Sequence, residues 1–173
     1  MTQSNAPQNT PSHVAELARK FETAFLVTHA HGGADRHMHA RPMGIADVEG
    51  DAKLWFASRA DSLKVEELHD NPEVLVLMQS GRRRSISIEG KARALRDDAR
   101  AKELWNPGMS LWFNGPEDPN LVLIEVEPTA AEYWDASGVG GAKLALTALK
   151  KYITGEELTP EDSGETHARI SIA

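Results

Sequence analysis

Residues 41–64, RPMGIADVEGDAKLWFASRADSLK, read as a strand, a tight turn, a second strand and the first turn of a helix. Met43, Ile45 and the pair Asp47–Val48 alternate as in a half-buried strand, and Glu49-Gly50-Asp51 supplies the turn. On the next strand Leu54, Phe56 and Ser58 share one face, with Trp55 and Ala57 on the other. Asp61-Ser62 then opens a helix, and Lys64 falls in its first turn. Free backbone N–H groups, a hydroxyl and an ammonium meet at one point, which Arg41 can reach from the neighbouring strand. That is the make-up of an anion pocket of the kind that holds a phosphate. Spacing alone equally describes two solvated surface charges beside a capping serine, and a short isolated motif favours that plainer reading.

The segments on either side extend the same pattern. Upstream, Thr23–Ala30 (TAFLVTHA) is β-rich, Gly32–Asp35 is a turn, and a strand from Arg36 runs into the quoted stretch, so the two form a hairpin. Before them, Ser12 reads as the N-cap of a helix that buries Val14, Leu17, Ala18 and Phe21. Downstream, the helix ends at Asn71-Pro72, and EVLVLMQ (73–79) is an apolar strand of central type. Ser85–Leu95 returns it with one wet face, and Asp97 caps a short helix to Trp105. Asn106-Pro107-Gly108 breaks that helix, and a short helical piece follows at MSLWF. Leu121–Trp134 is the last long strand, bent at Pro128. Around six strands joined by short turns, with few and peripheral helices, indicate a mainly β, closed antiparallel barrel.

Four segments are expected: a disordered tail over 1–11, a barrel domain over 12–137, a connector with a C-terminal helix over 138–155, and a mobile tail over 156–173 that is acidic and turn-rich, then β-like at its very end. Within the third, Gly138–Gly141 is the connector and Lys143–Ile153 the helix, closed by Gly155.

Composition narrows the function classes. The chain has 173 residues, 40% hydrophobic and 26% charged, which suits one globular domain. A net charge of −7 argues against nucleic acid, whose phosphates require a basic face. No cysteine is present, so disulfides and thiolate chemistry are excluded, and a reducing cytoplasm is the natural setting. No apolar run approaches the ~18 residues of a membrane span, and no signal segment is legible.

Other chemistry-bearing residues have plainer readings. His29, His31, His37 and His39 could converge across the hairpin on a metal, but no carboxylate or thiolate stands at fixed spacing except Asp35, and a wet hairpin tip is favoured. Arg82-Arg83-Arg84 reads as a solvated turn. Trp105, Trp112, Tyr133 and Trp134 could stack on a planar ligand or serve as core or interface. Walker A, dinucleotide-fingerprint and nucleophile-elbow motifs are all missing.

The ordered run ARPMGI, LWFASRADSLKVEEL, NPEVLVLM and SISIEGKARAL resembles the flavin-binding split-barrel superfamily typified by pyridoxamine 5′-phosphate oxidase. The following ELWNPGMSLWF and GPEDPNLVLIEVEPTAAEYWD resemble its general stress protein 26 branch. The resemblance covers roughly residues 12–153. It implies a six-stranded antiparallel split barrel, a homodimer, and FMN at the dimer interface, with FAD also possible. It implies that Arg41 and Lys64 grip the flavin phosphate with Ser62 as a further donor, and that Pro42, Met43 and Gly44 lie along the isoalloxazine edge. Ser58 stands where the family has a hydroxyl near the phosphate and ribityl chain. Ser85 stands where the oxidases carry a ring-facing glutamine. Trp112 and Trp134 belong to the stress-protein motif and would cover flavin or interface. The oxidases' arginine-bearing C-terminal strand has no matching motif in HARISIA, so vitamin B6 oxidation is disfavoured. The implied protein is a flavin-binding stress protein, either an oxidoreductase of unknown substrate or a non-catalytic flavin reservoir, sensor or interaction protein.

Overall fold

A computed structural model describes residues 10–30, 37–81, 84–135, 150, 151, 153, 155 and 166–172. Seven strands are seen: β1 (Thr23–His29), β2 (Met38–Val48), β3 (Leu54–Arg59), β4 (Glu73–Ser80), β5 (Arg84–Leu95), β6 (Leu121–Asp135) and β7 (Thr166–Ser171). Three α-helices accompany them: α1 (Pro11–Ala18), α2 (Leu63–Asp70) and α3 (Asp98–Leu104), with a 3-10 turn over Pro107–Leu111. Every strand pairing is antiparallel. The order β3-β2-β1-β4-β5-β6 closes on itself through β3–β6 pairing, which makes the six-stranded barrel that the turn spacing called for. Closure removes the open edges that such a sheet would otherwise present.

The alternation read from the sequence sets the faces. Leu54, Phe56 and Ser58 point into the barrel, where Leu26, Val76, Ile86, Ile88, Ile124 and Tyr133 are also buried. Trp55 lies on the opposite face of β3, in a second cluster with Leu104, Met109, Phe113 and Leu121. That cluster fastens α3 and the 3-10 turn to the outside of the barrel, so this short helical segment becomes a wall beside β2 and β3. Arg100 reinforces it, stacking over the Trp55 ring at 5.1 Å and bonding Asp47 at 2.7 Å.

The bend at Pro128 coincides with a β-bulge on β6, where Thr129 is the extra residue opposite Glu89 and Gly90 of β5. A side chain on Gly90 would collide with the Glu127 carbonyl, so the bulge needs glycine there.

Several expectations are corrected. Thr10, not Ser12, caps α1: its hydroxyl accepts from the His13 N–H, and Pro11 occupies the first helical position where its missing N–H costs nothing. The final part of the expected mobile tail is a strand. β7 pairs with β6 from Ala130–Ser171 to Asp135–Thr166, and Ile170 is buried against the core. Leu121–Asp135 is therefore not the last strand; its length serves β3 at one end and β7 at the other. The turn at Glu49-Gly50-Asp51 has its left-handed residue at Ala52, φ +69°, not at the glycine. The Gly138–Gly141 connector and all but the end of the Lys143–Ile153 helix lie outside the described residues, as do His31, Arg82 and Arg83.

Gly90→Ala is expected to cost about 1–3 kcal/mol through overpacking at the bulge. Urea denaturation of the variant beside the wild type measures it, and an unchanged midpoint would mean the bulge relaxes freely.

Candidate functional site

The site is built where α2 meets the barrel. Glu67 lies on the buried side of α2, flanked in sequence by the buried Leu68 and, two residues earlier, Val65. Its carboxylate is fully enclosed. It accepts from the Thr28 hydroxyl on β1 at 2.6 Å and from Arg41 of β2 at 2.9 and 3.0 Å. His39 Nδ1 lies 2.6 Å from the same carboxylate. A carboxylate can only accept, so this nitrogen carries the proton. The 3.2 Å approach of Arg41 Nη2 to that nitrogen is then a contact between two donors. Burial pushes the Glu67 carboxyl up, but the bonds from Arg41, Thr28 and His39 outweigh it and hold the group below the usual carboxylate range.

One turn earlier, α2 starts at Ser62, whose extended backbone makes it the N-cap. Its hydroxyl does not cap the helix. It lies 3.0 Å from the buried Ser58 hydroxyl, which also accepts from Lys64 Nζ at 3.2 Å. The first N–H groups of the helix have no intrahelical partners. Among the described residues no carboxylate lies within ion-pair distance of Lys64. Burial pushes the Lys64 ammonium down from the ordinary lysine value, and the Arg41 charge adds to the effect. A half-buried cation in an acidic chain, backed by two hydroxyls, a helix start and a second cation, can balance its charge with an anion.

Lys64 and Ser62 open onto a cleft of about 550 Å³. Pro42, Met43 and Gly44 of β2 line it together with Met109, Trp112 and Phe113. Trp112 is 72% exposed. A second cleft of about 540 Å³ shares Pro42 and is lined by Phe25, Gln79, Ser80, Ser85 and Trp134.

The residues singled out in the sequence thus divide. Pro42, Met43, Gly44, Ser62, Lys64 and Trp112 meet at the first cleft, with Ser58 directly beneath Lys64. Ser85 and Trp134, paired across β5 and β6, face the second. Arg41 lines neither cleft. Both of its terminal nitrogens are engaged by Thr28 and Glu67. Its charge also bears on Lys64. Thr28 and Glu67 carry no expectation from sequence, and His39 carries only the metal reading. The available signal was a glutamate between the apolar Val65 and Leu68 on an amphipathic helix. For the histidines, His39 is taken by Glu67, and no metal-binding group of three or more side chains occurs among the described residues. No helix among the described residues is long and apolar enough to cross a membrane.

The family model for pyridoxamine 5′-phosphate oxidase-like proteins matches residues 9–159. General stress protein 26 of Bacillus subtilis is 32% identical over 79 residues, 43% of this chain and 56% of that protein, so the match spans about half of its length. The crystal structure of general stress protein 26 from Bacillus anthracis superposes with a TM-score of 0.63 at 27% identity, over 70% of this chain and 92% of that one. The general stress FMN/FAD binding protein of Xanthomonas citri superposes with a TM-score of 0.59 at 29% identity, over 72% and 87%.

Glu67→Ala is expected to destabilise the fold by about 3–5 kcal/mol, because Arg41 would be left half-buried without its counter-charge. Since the folded Glu67 pKa lies below that of the unfolded chain, its stabilisation is complete above the ordinary glutamate range and is lost as pH falls through the lower folded value. Denaturant titrations at neutral and at acid pH should therefore differ more for the wild type than for Glu67→Gln.

Proposed function

The chain belongs to the pyridoxamine 5′-phosphate oxidase-like family, and on that premise we propose that it binds a flavin through the flavin's phosphate. The observation that carries this reading is the Lys64 ammonium, bonded to the Ser58 hydroxyl that in turn meets the Ser62 hydroxyl, with no carboxylate partner among the described residues. A phosphate there gains a charge-assisted bond from Lys64, a hydroxyl bond from Ser62 and the leading N–H groups of α2. Arg41 supports it from behind as fixed positive charge. Pro42, Met43 and Gly44 would run along the ring edge. When bound, the flavin would supply one- and two-electron transfer, the chain's part being to orient it and exclude water. The flavin-binding description of the Xanthomonas citri relative is in keeping with this.

We read the protein as a homodimer with the flavin near the interface. Phe25, paired with Pro42 on one side and Leu77 on the other, forms an outward apolar row on the sheet. Phe25 is 51% and Leu77 39% exposed, and Met38 extends the patch at 52%. A second copy of the chain would cover this surface and bring Ser85 and Trp134 of its own second cleft towards the flavin. A cysteine-free chain suits the cytoplasm. Oxidation of pyridoxamine phosphate is not part of the reading, because Arg169 bonds Glu89 across the sheet at 3.3 Å.

Titrating the apo-protein with FMN and following flavin fluorescence tests the phosphate grip. Lys64→Ala should weaken FMN by about 1.5–3 kcal/mol, roughly tenfold to a hundredfold, and leave riboflavin nearly unaffected. In the wild type FMN affinity should fall as pH rises, beginning below the ordinary lysine value of 10.5, because Lys64 loses its proton early. Equal losses for FMN and riboflavin in the variant would remove the phosphate assignment. Phe25→Asp should shift the protein from dimer to monomer in sedimentation velocity, and an unchanged sedimentation coefficient would discard that interface.

A further inference from the structure

Arg59 is the last residue of β3, directly after Ser58, and it lines the same cleft as Lys64. Strand alternation separates the two neighbours: Ser58 turns inward beneath Lys64, while Arg59 turns outward and is half exposed at the mouth. Its guanidinium is held by Asp61 in a two-bond fork, Nε at 2.9 Å and Nη2 at 2.8 Å. Asp61 is itself 63% exposed, so this is a solvated pair between near neighbours in sequence. The fork is aimed and ready, and a phosphate accepts the same two parallel bonds with more charge than a carboxylate. Across the cleft, Trp112 offers an exposed indole face of the kind on which a base stacks.

We propose that the outer half of this cleft recognises the adenylate arm of a flavin dinucleotide, with Arg59 taking the second phosphate and Trp112 the adenine. The proposal rests on the flavin-phosphate reading of Lys64 and deepens it from a flavin phosphate to a dinucleotide. The inner phosphate belongs to Lys64 and Ser62, and the outer one lies towards the solvent, where FMN has nothing to offer Arg59. Glu22 also lines the cleft and Asp118 acts on Arg59 electrostatically. These carboxylates disfavour an anion held loosely at the rim, and a phosphate bonded directly to the guanidinium overcomes them.

The test compares dissociation constants for FMN and FAD in the full chain, by flavin fluorescence, for the wild type, Arg59→Gln, Arg59→Lys, Asp61→Asn and Trp112→Ala. Arg59→Gln should lower the preference for FAD over FMN by about tenfold while FMN affinity stays within about twofold. Arg59→Lys should recover only part of the preference, because an ammonium lacks the fork. Asp61→Asn should raise the preference by releasing the guanidinium, and Trp112→Ala should lower it. The circular dichroism melt of each variant should match the wild type. An FAD-to-FMN ratio unchanged in Arg59→Gln overturns the proposal, as does wild-type protein that binds FMN and rejects FAD. Failure of the wild type to bind either flavin overturns the underlying reading together with this one.

Discussion

A single buried carboxylate holds the site together. Glu67 has no solvent to satisfy it, so the three donors that surround it are obligatory. They come from two strands, and the carboxylate comes from a helix, so the network ties α2 to β1 and β2 at a fixed rotation. That rotation decides where the first turn of α2 points. Ser62 and Lys64 meet Ser58 because Glu67, one turn on, is locked behind them. An apolar residue in place of Glu67 would bury as well but would leave the helix free to slide.

The same network explains how a chain of net charge −7 presents a positive pocket. Charge is placed by pairing. Most basic side chains here answer a carboxylate, as Arg84 does Asp135 and Arg100 does Asp47. Arg41 neutralises Glu67, which leaves Lys64 as local surplus. Burial lowers its pKa, and the neighbouring guanidinium lowers it further, so the uncompensated charge is held at a cost that an incoming anion relieves. Three cations thus stand in depth: Arg41 behind on the buried Glu67, Lys64 at the floor, and Arg59 lining the cleft on the solvated Asp61.

The walls of the cleft come from the outer face of the barrel. Trp55, on the opposite side of β3 from Phe56, anchors α3 and the 3-10 turn by a separate apolar cluster. That packing brings Trp112 to the cleft that Pro42–Gly44 also line. One strand therefore serves two purposes through its alternation: the inward residues fill the core and seat Lys64, and the outward residues attach the wall and aim Arg59.

The barrel and its helices were legible because period-two alternation and turn chemistry are local properties. Leu54 to Ser58, the break at Asn71-Pro72 and the bend at Pro128 each announce themselves within a few residues. The pairing of Ser62 and Lys64 was legible for the same reason, being one helical turn. β7 was legible only as a β-like end to an acidic, turn-rich segment, since its place beside β6 is not written in its own residues. The partner of Arg41 was hidden. Thr28, His39, Arg41 and Glu67 are spread over 40 residues of chain, and nothing in their spacing says that they meet. The sequence by itself determined the barrel and its two-faced strands, because those follow from local periodicity. Only the tertiary structure decided that Arg41 is spent on a buried carboxylate while Lys64 has no such partner among the described residues, because charge neutralisation depends on distances that closure of the barrel creates.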